Sequence, residues 1–406
     1  MKKLVILRAQ ALLISIIMVS MIFTSCGKTA DKSSSLSADM TSGSKAIGAP
    51  PDSQLGFYVK DGVIILGDKP FYGVGANYFD GGYRLCEDPL AEDIESAIKT
   101  AADHKIPYLR IRLSPYDHEG MITFYEFRDQ FFKGMDRCIE LCEKYEIGII
   151  ATLIWTPMGY MEDGNSANGF LPEYDSTGMN RMVEYVTEII TRYKNSPAIW
   201  GWEVGNEFNL ACDVTPDSID YDELVEFMRY ITEIIRNADG TNRIVTTGNS
   251  QNRHASYNLY KNNNWTADTL DEMRLMTGAY ESEFTSIVST HVYESKQILA
   301  GADVSLLEYL NKISEFSNDI GKPLYIGEYS NADIEEFDRV HEQIMKSDIQ
   351  LATMWTHNNY FDVWAKPDAH HNHMFDLALE SNNKYVSEGK QDTASYWSKV
   401  KKVFYK

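Results

Sequence analysis

The chain has 406 residues, too many for one small domain and enough for a leader, a linker and one large α/β barrel. A formal net charge of −21 excludes a phosphate backbone as a natural partner, while an apolar share of 44% allows a sizeable core. The 25 Tyr and 7 Trp suit stacking on flat ligand faces, although such residues also fill cores.

The N-terminus reads as an export signal over residues 1–26. "MKKLVILR" is a basic start, and "AQALLISIIMVSMIF" is an apolar run shorter than the about 20 residues that a membrane span needs. "FTSCG" then places Cys26 before Gly27, as in a bacterial lipoprotein lipobox, where the Cys becomes the lipidated first residue. Phe23 stands where Leu is usual there, and an ordinary secretory signal is the alternative. Residues 27–54 are rich in Ser, Gly, Ala and Pro and cannot bury enough apolar surface to order themselves. They read as a flexible tether with a reach of about 30 Å. The expected location is extracellular, at a bacterial cell surface, with the only membrane contact through a lipid at Cys26, or simply secreted.

The catalytic body is expected over residues 55–406, as a monomer. "FYVKDGVIILGDKP" looks like a small hairpin turning at Asp61-Gly62. Eight apolar runs follow as buried parallel strands: "FYGVGANYF", "IPYLRIRL", "IGIIATLIW", "AIWGWEVGNE", "RIVTTG", "SIVSTHVY", "PLYIGEY" and "QLATMWTH". Helical stretches separate them. Pro89 is read as opening the first, which continues from Asp93 to His104. Met182, Val183, Val186, Ile189, Ile190 and Tyr193 form one apolar stripe, and Leu224, Phe227, Met228, Ile231 and Ile235 another. The last helix lies near Asp392 to Phe404. Cys86, Cys138, Cys142 and Cys212 form neither a zinc-type pair nor a disulfide framework, and Cys138 and Cys142 fall four apart on a predicted helix, where burial is expected.

Eight strand-helix pairs indicate a (β/α)8 TIM barrel. A doubly wound sheet is the alternative, but "GVGAN" lacks a third glycine and a helix directly after it. The stretch from Asn249 to Phe284 is longer than a connection needs and is expected to line the site.

In such barrels reactive groups stand at the C-terminal ends of the strands. These ends offer Asn77 and Tyr78, Arg110 and Arg112, Trp155, Asn206 and Glu207, His291 and Tyr293, Glu328, and Trp355 and His357. Two carboxylates thus meet on one rim. Glycoside hydrolysis needs such a pair, one to protonate the leaving oxygen and one to attack the anomeric carbon or activate water. A neighbouring Arg would keep one of them ionised. Arg110 or Arg112 could supply that charge, and the Tyr293 hydroxyl could hold the same carboxylate in line.

At these residues the sequence resembles glycoside hydrolase family 5, the cellulase and β-mannanase family of retaining (β/α)8 glycosidases. "LR" at Leu109-Arg110, "NE" at Asn206-Glu207, "HVY" at His291 to Tyr293, "IGEY" ending in Glu328-Tyr329 and "MW" at Met354-Trp355 match its motifs in order. The resemblance covers residues 57–406. It implies Glu207 as acid/base, Glu328 as nucleophile, a covalent glycosyl-enzyme and carboxyls roughly 5–5.5 Å apart. It also implies substrate-binding roles for Arg110, Asn206, His291, Tyr293 and Trp355, with Asn206 on the sugar 2-hydroxyl. No cofactor is implied. Trp155-Thr156 replaces the His common at the third strand, and Phe208 replaces the Pro that commonly follows the Asn-Glu pair.

The remaining polar residues have plainer expectations. Glu203 lies deeper than Glu207 and reads as a structural partner for an Arg inside the barrel. Trp155 and Trp202 are balanced between core and sugar contact. Asp175, Asp213 and Asp220 read as loop or cap residues. His370, His371 and His373 invite a metal reading, but no ligand set is spaced to complete one, and a solvated loop near the cleft mouth is expected. The function expected is cleavage of a β-1,4-linked polysaccharide, mannan or glucan; the alternative is a surface sugar-binding lipoprotein without catalysis, and transglycosylation is a weaker third option.

Overall fold

A computed structural model of the protein describes residues 54–114, 124–155, 171–174, 176–214, 219–355 and 368–404. The export signal, the lipobox Cys26, nearly all of the tether, Thr156, Asp175, the Asp213 side chain and His357 lie outside the described residues.

The body begins with three antiparallel strands, β1 (Phe57–Lys60), β2 (Val63–Leu66) and β3 (Lys69–Pro70). β1 and β2 pair from Phe57↔Leu66 to Lys60↔Val63 around Asp61 (φ 52°) and Gly62 (φ 76°), the two left-handed residues that a type I′ turn requires. Phe57 packs its ring 4.9 Å from Trp200 and 5.7 Å from Tyr108, and Phe71 lies 5.9 Å from Trp200. Tyr108 and Trp200 stand at the N-terminal ends of barrel strands, so this sheet plugs the bottom of the barrel. Chemistry is left to the opposite rim.

The barrel strands are β4 (Gly73–Asn77), β5 (Tyr108–Arg112), β6 (Gly148–Ile154), β7 (Ile199–Gly205), β8 (Ile244–Thr246) and β9 (Val288–Val292). After a small hairpin of β10 (Lys296–Leu299) and β11 (Ala302–Ser305) come β12 (Leu324–Tyr329) and β13 (Leu351–Met354). Each of the eight predicted runs contains one barrel strand. They pair in parallel in the order β8-β7-β6-β5-β4-β13-β12-β9. The remaining edges, β8 and β9, meet through the Ser286 amide, which donates to the Val245 carbonyl at 2.8 Å. The fold is a (β/α)8 TIM barrel.

The helices pack their apolar stripes on the strands. Met182, Val186, Ile189 and Ile190 are buried on the helix Thr177–Tyr193, as are Leu224, Phe227, Met228, Ile231 and Ile235 on Tyr221–Asp239. Asp220 caps the latter by accepting from the amides of Asp222 and Glu223. Cys138 and Cys142 are buried on the helix Arg128–Lys144, and Cys86, Cys138, Cys142 and Cys212 are free thiols.

Two local expectations are corrected. Pro89 opens no helix: a short helix Gly81–Glu87 ends before it, and the next runs from Glu92 to Asp103. A residue before proline disfavours the α region, and Asp88 accordingly turns extended (ψ 91°) while its carboxylate accepts from the Leu90 amide. The His-rich stretch is not a loop. It starts the helix Ala369–Ser387, whose cap Asp368 accepts from the His371 amide and contacts that ring at 2.8 Å. His371 is buried, and His373 binds Asp338 at 2.6 Å.

Candidate active site

Six strands, β4, β5, β6, β7, β9 and β12, send polar side chains into the top of the barrel. Arg110 on β5 is the hub, 1% exposed. Its Nε donates to Glu203 Oε1 on β7 at 2.8 Å, and Nη2 lies 2.7 Å from the same oxygen. Nη1 donates to Asn77 Oδ1 on β4 at 3.0 Å and to Glu328 Oε1 on β12 at 2.5 Å. Nη2 also donates to Asn206 Oδ1 at 2.9 Å. Thr152 on β6 donates to Glu203 Oε1 at 2.6 Å. A buried carboxylate is tolerated only when paired and hydrogen-bonded, and the guanidinium fork does this for Glu203 and Glu328 together.

Strict alternation along β12 would turn Glu328 away from this hub. Tyr325 faces the interior, where its hydroxyl meets Thr353 at 3.0 Å. Tyr329 faces the helix layer, where its hydroxyl meets His341 at 2.9 Å. From Tyr325, alternation would place Gly327 and Tyr329 inside and Glu328 outside. The ladder instead shifts register between Ile326 and Glu328, pairing Ile326↔Thr290 and then Glu328↔His291. Gly327 is the extra residue of a bulge, and its carbonyl accepts from Asn77 Nδ2 at 3.1 Å. The bulge swings Glu328 inward.

Glu207 reaches the same space from beyond β7. It has φ 55°, a left-handed backbone that non-glycine residues seldom adopt. Its amide donates to the Gly248 carbonyl at 3.0 Å, and its own carbonyl accepts from the Leu210 amide at 3.0 Å, which holds the turn. His291 on β9 lies between the carboxylates. Its Nδ1 is 2.9 Å from Glu207 Oε1 and 3.6 Å from Glu328 Oε2. One oxygen of each carboxylate and one His291 ring nitrogen all lie within 4.8 Å of one another. The Tyr293 hydroxyl donates to Glu328 Oε2.

The two carboxyls differ in their surroundings. Burial pushes Glu328 up, and Glu207 adds to this; His291, Arg110 and Tyr293 pull the other way, but the net direction is up. Burial also pushes Glu207 up, yet hydrogen bonds from His291 and Ser250, with the charges of His291 and Arg110, leave it below the ordinary range. Arg110 therefore acts on Glu328 in the direction expected from sequence, but burial outweighs it. Burial and the Glu328 carboxylate hold the Tyr293 hydroxyl well above the usual phenol value, so it stays a donor.

An aromatic wall stands beside the hub. Trp155 and Trp355 are nearly parallel (19°) with centroids 6.2 Å apart, and Phe79 contacts both at 4.8 and 5.8 Å. The Arg110 guanidinium carbon lies 5.7 Å from the Trp155 ring.

The family model for cellulase, glycosyl hydrolase family 5, matches residues 81–367. The chain belongs to glycosyl hydrolase family 5. Over 162 residues it is 26% identical to Endoglucanase C of Acetivibrio thermocellus and to Endoglucanase C307 of a Clostridium species (strain F1). Those 162 residues are 40% of this chain, and the match spans 43% of the length of these curated relatives. Among solved structures, an endo-1,4-β-mannanase from Rhizomucor miehei superposes with a TM-score of 0.52 at 15% identity, over 79% of this chain and 99% of that one. The exo-β-1,4-mannosidase Op5Man5 from Opitutaceae bacterium strain TAV5 gives 0.55 at 14% identity, over 80% and 62%. The structural likenesses show the barrel fold.

Of the strand-end residues read from sequence, Asn77, Arg110, Asn206, Glu207, His291, Tyr293 and Glu328 converge on one network, with Trp155 and Trp355 beside it. Two strand-end residues, Tyr78 and Arg112, do not join it, nor does Trp202, and His357 lies outside the described residues. Tyr78 is buried among Asp80, Arg84, Asp93 and Cys138 on the helix side. Arg112 lies over the rings of Phe79 and Tyr83 at 4.8 and 5.2 Å, so Arg110 is the carboxylate partner. Trp202 is core, donating its indole N–H to Asp239 at 3.0 Å. Sequence reading missed Phe79, Ser250 and Gly327. The glycine directly before Glu328 was the one available signal, since an isolated glycine in a strand often marks a bulge.

Proposed function

We propose that the protein is a retaining glycoside hydrolase that cuts β-1,4-linked polysaccharide, of endo-β-1,4-mannanase or cellulase type. The observation that carries this reading is the Glu207–Glu328 pair, with oxygens within 4.8 Å and Arg110 bound to one member. Inverting enzymes hold their carboxyls about 6.5–9.5 Å apart to admit a water, and this oxygen spacing favours the roughly 5–5.5 Å of retaining enzymes.

Glu328 is the nucleophile. Its carboxylate attacks the anomeric carbon while Glu207 gives its proton to the leaving oxygen. Water then enters, Glu207 takes its proton, and the hydroxide oxygen displaces Glu328 with overall retention. Asn206 uses its carbonyl oxygen on Arg110, which leaves its amide N–H for the sugar 2-hydroxyl. Trp355 and Trp155 stack on the glycone.

The reaction needs the proton on Glu207, whereas the free site favours it on Glu328. Substrate supplies the difference. The Glu207 side chain is 27% exposed, and a bound sugar strips that water, which raises a carboxyl. Glu328 keeps its guanidinium throughout. The export signal and lipobox support action at the cell surface on polymer too large to enter.

The test is reducing-end release from β-mannan, soluble cellulose derivative, xyloglucan and lichenan, with NMR of the first anomer formed. Glu207→Gln and Glu328→Gln should each abolish turnover while the folded structure persists by circular dichroism. Near-normal hydrolysis by both variants, or an inverted first product, overturns the reading.

A further inference from the structure

The insertion after β8 carries a feature that the barrel does not need. Trp265 is 54% exposed, although a chain normally buries an indole where it can. Its loop is nonetheless held in one shape. The Thr266 amide donates to Asn264 Oδ1 at 2.9 Å, and the Asp268 amide donates to the His254 carbonyl at 2.7 Å. The buried Asp268 carboxylate accepts from the amides of Tyr257 and Asn258 and from Asn258 Nδ2. Tyr260 fastens the loop to the helix Tyr221–Asp239, its ring tilted 35° against Tyr221 with centroids 3.9 Å apart and its hydroxyl donating to Asp222 at 2.6 Å. Trp265 is thus presented, with the His254 ring 6.1 Å away and the exposed residues Asn262, Asn263 and Asn264 beside it.

Four residues of chain lead from Ser250, at the edge of the candidate active site, to His254 at this platform. Ser250 lies beside Glu207 and helps to hold that carboxyl down, and its backbone is locked to Asn209, with Ser250 N donating to Asn209 Oδ1 at 2.9 Å and Asn209 Nδ2 donating to Ser250 O at 3.0 Å. Gln251 donates to Gln297 of the β10–β11 hairpin at 2.7 Å, which keeps this stretch on the upper rim. From Ser250 to His254 the chain spans at most about 14 Å. The loop starts after β8, beside Glu207, the group that faces the leaving oxygen, whose amide donates to the Gly248 carbonyl at 3.0 Å.

We propose that Trp265, with His254 and the neighbouring asparagines, is a sugar-binding platform for the leaving-group side of a long, neutral β-linked glycan. An indole face matches the apolar C–H face of a pyranose, and amides match its hydroxyls. A rigid aromatic gives contact at little ordering cost. The platform extends the cleft by a few sugar units beyond the cleavage point. It rests on the glycosidase reading above for its direction, but not for its existence.

The test uses the full chain and Trp265→Ala, with soluble β-1,4-mannan, soluble β-glucan and a short aryl β-disaccharide. The variant should lose about fivefold or more in kcat/KM on the polymer that the parent cleaves, mostly through KM, as expected for loss of one anchoring contact. The short substrate should stay within about twofold, because it does not reach the platform. Trp265→Tyr should restore most of the loss. In the Glu328→Gln background the same polymer in a native gel should retard the parent more than the Trp265→Ala form. Unchanged polymer kinetics, an equal loss on the short substrate, or retardation indifferent to Trp265 overturns the platform. So does a concentration-dependent dimer in sedimentation that Trp265→Ala dissolves. If the parent cleaves nothing, the glycosidase reading fails alone, and gel retardation still decides the platform.

Discussion

Gly327 lies so close to His291 that a methyl group on its α carbon would stand 2.7 Å from Nε2 of that ring and 3.2 Å from Ser289 Oγ. His291 is 1% exposed and holds Nδ1 against Glu207, so it has little room to retreat. Gly327→Ala should therefore move both His291 and the bulge that aims Glu328. Overpacking of this kind costs about 1–3 kcal/mol of stability, and a displacement near 1 Å at a reacting centre costs about a hundredfold in rate. The variant should fold with a lowered denaturation midpoint and lose about two orders of magnitude in kcat/KM. A fully active Gly327→Ala would show that the bulge has slack and that His291 is not positioned by it.

The barrel was legible because eight apolar runs separated by helical stretches leave few other topologies. The motif residues were legible because barrel chemistry stands at strand ends. What stayed hidden is tertiary. Tyr78 and Arg112 share the neighbourhood of the network's residues, and only the folded chain shows that Arg110 reaches Glu328 while Arg112 lies over Phe79 and Tyr83. Alternation along β12 pointed Glu328 outward, and nothing but the register shift at Gly327 reverses it. The His-rich stretch reads as loop from composition, yet Asp368 caps it into a helix. The electrostatics were the least legible, since burial outweighs the Arg110 charge at Glu328, and burial is a property of the folded chain.

Arg110 serves four acceptors at once: Glu203, Asn77, Glu328 and Asn206. A lysine keeps the charge but has no planar fork and cannot reach them together. Arg110→Lys should abolish turnover and leave a buried carboxylate poorly paired, at a cost of about 3 kcal/mol or more in urea unfolding. Activity above about a tenth of the parent would show that charge alone is enough and that the fork is dispensable.

Tyr293 donates its hydroxyl to Glu328 Oε2, opposite the oxygen held by Arg110. A hydrogen bond to a charged group contributes about 1.5–3 kcal/mol, so Tyr293→Phe should lower kcat by about ten- to a hundredfold with little change in folding. Loss of the bond also removes one influence that pulls Glu328 down, so the acid limb of the kcat/KM profile should move to higher pH. A change in KM alone, with the limb in place, would assign Tyr293 to sugar contact rather than to orienting Glu328.

His341 should make the protein acid-sensitive from the helix layer behind β12. It is 6% exposed on the helix Ile334–Lys346, with Nδ1 2.9 Å from the Tyr329 hydroxyl and Nε2 3.0 Å from Ser381 Oγ. Burial lowers it from the usual 6.5 to about 4; Asp338 opposes this shift and His373 adds to it. The unfolded chain therefore binds a proton at this residue between pH 6.5 and 4 while the folded chain does not. Stability from this group is full above pH 6.5 and is lost as pH falls toward 4, by about 3 kcal/mol at most. Urea unfolding at pH 7, 5.5 and 4 should show that decline in the parent and a shallower one in His341→Gln, whatever offset the substitution causes at pH 7. Parallel declines in the two proteins would mean that His341 is protonated in the fold and that other groups set the acid limit.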